Sequence, residues 1–386
     1  MDKKKLLKII IISLLSAVLV FVILVGVYSV RLYNSFDVQQ EETQPQAEQN
    51  APQELLTQPE EEDEEEIVLS LSELRSADDL STALREWSEN TDDYVLMKSK
   101  KVINFLLIGG DEEQELSDVI MIASVNKATK QIFLTSIMRD SYTYIPIKNS
   151  DTYGKINAAY YYGGAEMLKA AIERDFKIEV DYYVTINYEM FVGLVDVLGG
   201  VELEVQEYEA RAVKDELRYV WQVKEDEREC PWGDRVTLNG YQALTFCRIR
   251  HCDVDADISR TRRQRQFITA LIERSRQIKM SQIDELLEQF SPYIRTDCPK
   301  SELASLASQA ILGKWYNYEI VSSSFPQEGE RMDYSGNAWV WIVDYPLSAY
   351  HLQNMIYGES NIILSEDRVS VIDIMQYTGN TGTAMP

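Results

Sequence analysis

The residues with the clearest chemical potential are six arginines between Cys247 and Phe267, in the stretch CRIRHCDVDADISRTRRQRQF. They stand in a chain of 386 residues whose formal net charge is −25. Guanidinium groups match phosphate oxygens bidentately, so such a cluster predicts a site for phosphate or pyrophosphate. The alternative is an internal network of ion pairs with the nearby carboxylates Asp253, Asp255 and Asp257.

Arg248 and Arg250 are predicted to lie on one face of a strand. The run LNGYQALTFCRIRH reads as a short helix followed by a strand, in which side chains alternate between faces. Phe246 would share the face of the two arginines, and Cys247 would lie on the opposite face. Two neighbouring guanidinium groups repel each other, so this face needs an anion or a carboxylate between them.

Helical spacing applies to the run DISRTRRQRQF, which begins a long amphipathic helix. It places Arg260, Arg263 and Gln264 near one face, at the positive N-terminal end of the helix dipole. Arg262 and Arg265 lie on other faces of this helix, and we expect them to point to solvent. The arginines expected to converge on one anion are Arg248, Arg250, Arg260 and Arg263.

Carboxylates and a further arginine stand where strands are predicted to end. Asp111 follows the apolar run VINFLLIGG, Asp118 begins SDVIMIASVN, and Arg139 and Asp140 end QIFLTSIMRD. Ligands of open α/β sheets gather at strand ends. Asp111 and Asp118 would repel each other unless a cation lay between them, and Mg²⁺ prefers oxygen ligands. A capped turn at Asp118 with a solvated Asp111 is the alternative.

The elements that must position these residues alternate along the chain. Apolar runs typical of buried strands alternate with amphipathic runs such as GGAEMLKAAIERDF and YEMFVGLVDVLGG. This order indicates an α/β domain with stacked layers. Residues 207–232 are charged and lack a regular pattern, so we expect an irregular surface excursion there.

The N-terminus reads as a membrane anchor. Ile9 to Val30 contains no charged residue, and about 20 apolar residues span a bilayer as a helix. Lysines precede this run, which places the N-terminus in the cytoplasm and the remainder outside the cell. The predicted organisation is a cytoplasmic basic tail (1–8), a transmembrane anchor (9–30), a disordered acidic linker (31–68), an extracellular domain (69–375) with core motifs in 102–278, and a disordered tail (376–386).

Composition excludes several classes of function. The acidic balance argues against a nucleic-acid partner, although residues 37–66 alone carry twelve acidic residues and about half of the net charge. Two histidines and the absence of HExxH and paired CxxC motifs give a zinc site little support. Four cysteines on the outer side admit one or two structural disulfides in any of three full pairings, or a buried thiol at Cys247.

Six sequence blocks resemble, in order, those of the LytR-CpsA-Psr family. They are FLLIGGD, SDVIMIASVNKATKQIFLTSIMRDSYTYIP, KINAAYYYGG, YYVTINYEMFVGLVDVLGGVELEV, LNGYQALTFCRIRH and DISRTRRQRQF. The resemblance implies a three-layer α/β/α sandwich around a mixed β-sheet, displayed outside the membrane of a Gram-positive bacterium. It implies a phosphotransferase that moves a glycopolymer, such as teichoic acid or capsule, from a polyprenyl-pyrophosphate carrier to peptidoglycan through a phosphodiester.

The resemblance also assigns roles by position. Asp111 and Asp118 match carboxylates that bind Mg²⁺ or Mn²⁺, and Leu116 replaces an arginine that members often carry before their Ser-Asp pair. Arg139, Arg248, Arg250 and Arg260 match the arginines that bind pyrophosphate, and Asp140 is the candidate base. Arg263, Gln264, Lys155 and Asn157 match motif positions near the substrate.

Two other functions stay open at this point. Leu116 favours a protein that binds polyprenyl phosphates or wall polymer without catalysis. The arginine cluster also suggests a transcriptional regulator, but the predicted topology disfavours it because the arginines lie beyond the membrane.

Overall fold

The structure, a computed structural model, describes most of the chain from Ala77 to Ile372. The described residues are 77–90, 95–110, 117–147, 150–220, 222–225, 228–250, 252–253, 256–275, 295–335, 339–365, 368 and 370–372. The predicted anchor (9–30), the acidic linker, Asp111, Leu116 and the C-terminal tail lie outside them. No helix within these ranges is long and apolar enough to cross a bilayer.

Eight α-helices and twelve strands follow one another in the described part of the chain. They are α1 (Ala77–Glu89), β1 (Val102–Gly110), β2 (Ser117–Asn126), β3 (Gln131–Ile137), β4 (Tyr142–Ile147), β5 (Ser150–Lys155), α2 (Ala158–Phe176), β6 (Tyr182–Ile186), α3 (Tyr188–Val197), β7 (Val201–Val205), α4 (Glu207–Leu217), β8 (Gly233–Leu238), α5 (Gly240–Arg248), α6 (Ala256–Ser275), β9 (Arg295–Thr296), α7 (Lys300–Gly313), β10 (Glu319–Phe325), β11 (Arg331–Ser335), β12 (Trp339–Val343) and α8 (Tyr345–Tyr357).

These elements form two compact units. The first consists of Lys98–Arg139 and Glu179–Phe325, and it holds the largest sheet. The second consists of the described residues before Lys98, of Asp140–Ile178, and of those from Pro326 onward. It holds α1, α2, α8 and the hairpins β4–β5 and β11–β12.

A mixed six-stranded sheet organises the first unit, in the order β10-β3-β2-β1-β6-β9. The strand β2 runs antiparallel to β1 and β3, whereas β6 is parallel to β1 and β10 is parallel to β3. β1, β2 and β3 are almost entirely buried, which explains why their sequences are continuous apolar runs. Phe105, Met121 and Leu134 pack into one core with α3, α5 and α6. The predicted mixed α/β fold is confirmed.

Residues 207–217 are helical, so the predicted irregular excursion is wrong over this part. α4 starts with a capping box in which the Glu209 side chain accepts the Gln206 N–H at 3.0 Å. Ala210, Val213 and Leu217 form its buried stripe at helical spacing. The high charge of the segment concealed this short apolar pattern.

All four cysteines are free thiols, so none of the disulfides that the sequence admitted is present. Cys230, Cys247 and Cys298 are buried. Burial raises the pKa of Cys230 to about 12, so this thiol stays protonated at neutral pH. The interpretation of Cys247 as a buried thiol is confirmed.

A buried lysine joins α1 to α2 within the second unit. Lys177 is 1% exposed and follows the last residue of α2 in the left-handed region, with φ of 51°. Its ammonium donates to the carbonyls of Trp87 at 2.6 Å and Asn90 at 3.1 Å, which belong to the C-terminal end of α1. The Trp87 indole donates in return to the Asp175 carbonyl at 3.0 Å. These bonds satisfy carbonyls that a helix end leaves open.

Asp175 is a buried carboxyl beside this lysine. Burial raises its pKa to about 7, although the Thr143 hydroxyl donates to it at 2.7 Å and Arg174 and Lys177 lie nearby. Desolvation therefore outweighs the hydrogen bond and the charges. Because the folded pKa exceeds the ordinary value of 3.8, its contribution to stability is complete below that pH and is lost as pH rises toward about 7.

Asp175→Asn is expected to flatten the pH dependence of stability between pH 3.8 and about 7. The asparagine keeps an acceptor for Thr143 but binds no proton over this range. Urea unfolding of the detergent-solubilised full chain, followed at several pH values, measures the effect. The exposed Asp234→Asn is the control, and equal pH profiles for Asp175→Asn and the parent protein would contradict the assignment.

Candidate active site

One edge of the large sheet collects the predicted strand-end residues. β2 is antiparallel to β1 and β3, so its first residues lie beside the last residues of both neighbours. β6 is parallel to β1 and pairs Ile186 with Gly109, which brings Tyr188 to the same edge. The sheet register therefore places Asp118, Arg139 and Tyr188 together.

Asp118 occupies an irregular position in the ladder. Gly109 pairs with Val119, but Gly110 pairs with Ser117, so Asp118 is the extra residue of a β-bulge. A bulge leaves its extra residue unpaired and re-aims the side chain. The carboxylate of Asp118 is consequently available for contacts beyond the ladder.

Asp118 is the centre of the site. Its Oδ1 lies 2.5 Å from Arg139 Nη1 and 3.5 Å from Arg250 Nη2, and its Oδ2 accepts the Tyr188 hydroxyl at 2.8 Å. Burial raises its pKa, but the Tyr188 hydrogen bond and the charges of Arg139, Arg260 and Arg250 outweigh burial, and the net shift is downward. Asp118 is therefore a carboxylate at neutral pH.

Helix α5 presents Arg248 to the site. The Asn239 side chain accepts a hydrogen bond from the backbone N–H of Gln242 at 2.9 Å, and the Gln242 side chain accepts one from the backbone N–H of Asn239 at 2.9 Å. This capping box fixes the start of the helix. Gly240 permits a close approach to α3, because a Cβ there would lie 2.4 Å from the Val192 carbonyl oxygen. The guanidinium of Arg248 stacks 4.3 Å from the centroid of the Tyr188 ring.

The strand predicted for residues 246–250 is wrong. α5 continues to Arg248, and Phe246 is fully buried in the core instead of sharing a face with the arginines. Ala243, Phe246 and Cys247 have helical spacing on the buried side, which overrides the short alternation that suggested a strand. Arg248 at the helix end and Arg250 beyond it still line the same cavity.

Arg263 has a different place from the one predicted. It is fully buried and lies outside the cavity lining, where it contacts Asp253 and, at 3.3 Å, Glu209. It also donates to the Ile249 carbonyl at 2.5 Å. The alternative of an internal ion-pair network thus applies to this arginine. It fixes the backbone between Arg248 and Arg250.

Gln264 and Arg260 lie on the side of α6 that lines the cavity. The Gln264 amide donates to the Cys247 carbonyl at 3.3 Å, one residue before Arg248. Arg260 is 2% exposed and lies close enough to Asp118 to lower its pKa. Both residues are therefore brought to the predicted site.

Arg265 does not point freely to solvent as predicted. It is half-buried, and no acceptor among the described residues bonds its buried Nη1. Burial, with a further contribution from Arg262, lowers its pKa to about 10. Arg262 is exposed as expected and contacts Glu209 at 3.2 Å.

A cavity of about 580 Å³ in the first unit gathers this chemistry. Its cationic lining consists of Arg139, Arg248, Arg250 and Arg260. Its apolar lining includes Leu107, Val119, Met121, Ile186, Phe191, Val220, Leu244, Phe267 and Ile268. The lining thus combines an excess of positive charge with a large apolar wall, which suits a ligand that has an anionic group and a hydrocarbon portion.

The remaining predicted residues lie in the second unit. Asp140 is 4% exposed and forms an ion pair at 2.5 Å with Lys155. Asn157 is buried directly before α2. The structure brings Asp140 and Lys155 together, and the roles predicted for these three residues stay predictions.

The sequence interpretation missed Tyr188, which contacts both Asp118 and Arg248. Its place two residues after the end of β6 is the signal that could have identified it, because Asp118 and Arg139 also lie at or near strand ends.

Asp118 is the described member of the carboxylate pair predicted to bind a divalent cation. Asp118 is ionised and lines the cavity, but its oxygens already accept bonds from Arg139 and Tyr188. Within the described ranges, no three His, Cys, Asp or Glu side chains form a cluster that could hold a metal ion. Asp118 therefore fits a divalent cation as one oxygen ligand that needs further oxygens.

Comparisons with known proteins give a consistent result. The sequence profile of the LytR_cpsA_psr family matches residues 67–355. The chain is 29% identical over 251 residues to the polyisoprenyl-teichoic acid–peptidoglycan teichoic acid transferase TagU of Enterococcus faecalis, covering 62% of this chain and 77% of that protein. It is 33% identical over 190 residues to TagU of Bacillus cereus, covering 48% of this chain and 57% of that protein. The matched region thus covers between about half and three quarters of the length of these two relatives.

Solved structures share the fold. B. subtilis TagV is similar with a TM-score of 0.52 and 23% identity, over 67% of this chain and 98% of that one. The LytR-CPS2A-psr family protein YwtF (TagT) with bound octaprenyl pyrophosphate lipid is similar with a TM-score of 0.51 and 22% identity, over 69% of this chain and 95% of that one. At this identity the likeness establishes the fold.

Glu209→Ala is expected to lower the free energy of unfolding by about 3 kcal/mol, because it removes a buried partner of Arg263. Arg262→Ala removes only the exposed partner of the same carboxylate and should cost less than about 1 kcal/mol. Urea unfolding of both variants measures the difference. Equal stability of the two variants would contradict the role given to the buried pair.

Proposed function

The chain belongs to the LytR_cpsA_psr family, and from that premise we propose that it is a membrane-anchored phosphotransferase. It would attach a glycopolymer, a teichoic acid or a similar chain, from a polyprenyl-pyrophosphate carrier to peptidoglycan through a phosphodiester. The names of the curated relatives supply the donor and acceptor classes. The observation that carries the proposal is the cavity that combines four arginines with an apolar wall.

The cavity chemistry matches the two parts of such a carrier. The positive charges of Arg139, Arg248, Arg250 and Arg260 exceed the negative charges of the two lining carboxylates, Asp118 and Glu216, so the cavity favours an anion. Pyrophosphate is such an anion and accepts the paired N–H groups of guanidinium. The apolar lining suits the polyprenyl hydrocarbon.

The proposed chemistry is displacement at phosphorus. A sugar hydroxyl of peptidoglycan attacks the phosphorus that carries the glycopolymer, and the bond from that phosphorus to the bridging oxygen breaks. The bridging oxygen leaves with the bond electrons as polyprenyl phosphate. Arginine groups that face the phosphates stabilise the charge that develops on the leaving group. The hydroxyl proton needs an acceptor, for which Asp140 remains the candidate.

A divalent cation, Mg²⁺ or Mn²⁺, belongs to the proposal. It would neutralise phosphate charge, with Asp118 as one ligand and phosphate oxygens completing its shell. Asp111 is the second proposed ligand. The ionised state of Asp118 supports this assignment.

The proposed location is the outer face of the cell membrane, with residues 9–30 as the anchor and the N-terminus in the cytoplasm. The uncharged apolar run and the lysines before it support this topology. An anchor keeps the domain beside its lipid-linked substrate. The finer fold prediction, a three-layer α/β/α sandwich, is part of the same proposal.

Arg250→Ala is expected to reduce transfer of a polyprenyl-pyrophosphate-linked glycopolymer to peptidoglycan about 100-fold, because a charged donor beside Asp118 is lost. Arg235→Ala, which removes an exposed arginine outside the cavity lining, is the matched control. The assay uses the full-length protein with purified lipid-linked substrate. Unchanged transfer by Arg250→Ala would reject the site, and lipid binding by the parent protein without transfer would favour a binding protein.

Asp118→Asn is expected to weaken Mn²⁺ binding at least about tenfold in the presence of polyprenyl pyrophosphate, since it removes one charged oxygen ligand. Electron paramagnetic resonance of free Mn²⁺ measures the affinity without an activity assay. The exposed Asp215→Asn is the control. Equal Mn²⁺ affinity in Asp118→Asn and the parent protein would remove Asp118 from the metal site.

A further inference from the structure

A pair of tryptophans lies on one face of the hairpin β11–β12 in the second unit. The strand register pairs Trp341 with Asp333 and Val343 with Arg331. Directly opposed residues and alternate residues of one strand share a face. Trp339, Trp341, Asp333 and Arg331 therefore stand on the same side, and we name these four residues the aromatic face.

The aromatic face is braced from within. The two indole rings lie 4.8 Å apart in an edge-to-face arrangement with an interplanar angle of 73°. The Arg331 guanidinium lies 4.7 Å from the centroid of the Trp341 ring and also donates to the Pro326 carbonyl. Trp341 is thus held between an arginine and its neighbour, while Trp339 stays 37% exposed.

The backbone under the aromatic face is fixed as well. The backbone N–H of Trp341 donates to the backbone carbonyl of Asp140 at 2.9 Å, and Trp341 forms a parallel β-bridge with Ser141. Asp140 is the residue that follows Arg139 of the cavity in the chain. A rigid backbone favours binding because less conformational entropy is lost when a ligand binds.

The fold does not require an exposed tryptophan at this position. Val340 and Ile342, on the opposite face of β12, are 4% and 1% exposed, and with Val343 at the end of the strand, 1% exposed, they supply its apolar packing. Trp339 contributes an aromatic surface to solvent, and the exposed carboxylate of Asp333 lies on the same face, opposite Trp341. A fixed aromatic ring next to a hydrogen-bonding group is typical of a recognition surface.

The chemistry of the aromatic face favours an uncharged sugar. A pyranose ring has an apolar C–H face that can stack on an indole, and its rim carries hydroxyl and acetamido groups that bond a carboxylate. Asp333 and Glu328 are exposed, and the one arginine is engaged by Trp341 and Pro326. The carboxylates would repel a polymer of phosphodiesters.

We propose that the aromatic face binds the glycan strand of peptidoglycan, with an N-acetylated hexosamine stacked on Trp339 and bonded by Asp333. The choice of peptidoglycan among uncharged glycans rests on the function proposed above. The binding itself is independent of the arginines and of transfer. The aromatic face is therefore an acceptor site that can be measured without turnover.

Trp339→Ala is expected to weaken binding of the full-length protein to glycan strands about tenfold, as the loss of a central aromatic contact does. The probe is peptidoglycan stripped of teichoic acid and freed of stem peptides by an amidase, and co-sedimentation measures the bound fraction. Trp232→Ala removes a tryptophan that is 60% exposed in the first unit, and it should bind as the parent protein does. Trp339→Tyr keeps an aromatic ring and should restore most of the binding.

Three results of the glycan co-sedimentation assay would overturn the proposal. They are unchanged glycan binding by Trp339→Ala, an equal loss in Trp232→Ala, and binding that disappears from the parent protein once stem peptides are removed. A lower affinity of Trp339→Ala for purified teichoic acid, with unchanged affinity for glycan strands, would assign the aromatic face to the polymer and also overturn it. Binding of polyprenyl pyrophosphate should be equal in all variants. If Trp339→Ala loses this binding as well, and if Trp339→Tyr does not restore glycan binding, then Trp339 acts through folding.

If transfer is absent in the parent protein but Trp339→Ala still loses glycan binding, the proposed function fails and the binding inference stands. If Arg250→Ala abolishes transfer while Trp339→Ala retains glycan affinity, the inference fails alone. The two measurements thus separate the two proposals.

Discussion

The cavity depends on one buried ion pair cluster. Arg263 lies between Asp253 and Glu209 and donates to the Ile249 carbonyl, so it fixes the chain between Arg248 and Arg250, which line the cavity. Burial of a guanidinium costs free energy, which a balancing charge and hydrogen bonds to its donors offset. Glu209 comes from α4 and Arg263 from α6, so the backbone of the cavity wall is set by packing between these elements rather than by local sequence.

Like charges impose the second constraint on the site. Several arginines around a small volume repel one another unless anionic or π-electron groups separate them. Asp118 separates Arg139 from Arg250, and the Tyr188 ring provides a surface for Arg248. Tyr188 also bonds Asp118, so one tyrosine orients both the carboxylate and an arginine. An arriving polyanion meets groups that are already oriented.

The sequence predicted this site well where the argument used topology. The ends of neighbouring strands meet at one edge of a sheet, and this rule alone predicts that Asp118 and Arg139 lie close together. The prediction from sequence failed where the periodicity of a helix and that of a strand both fit the same few residues. The alternation around Arg248 suits a strand, but Asn239 and Gln242 form the cap of a helix that runs through it. The cap was present in the sequence as N-G-Y-Q.

Other parts could not be predicted because they depend on what packs against a helix. Spacing along α6 assigned Arg263 and Arg265 to faces, but it contains no information about the partner of each face. Of the two carboxylates that contact Arg263, Asp253 is near in the chain, but Glu209 lies more than fifty residues away in a segment whose charge concealed its helix. A phenol that donates to a carboxylate, as Tyr188 does, leaves no spacing pattern, and only its place after β6 marks it in the sequence.

The edge strand β10 has a consequence for the order in which the molecule can assemble. It pairs in parallel with β3, whose end carries Arg139, and the paired residues Gln131 and Glu319 are 188 positions apart. Contacts of such separation close late, because loop entropy must be lost before they form. In a nascent chain, β3 can therefore pair on its second side only after nearly all of the domain has been synthesised. Partly made chains would therefore leave β3 as an unpaired edge of the sheet.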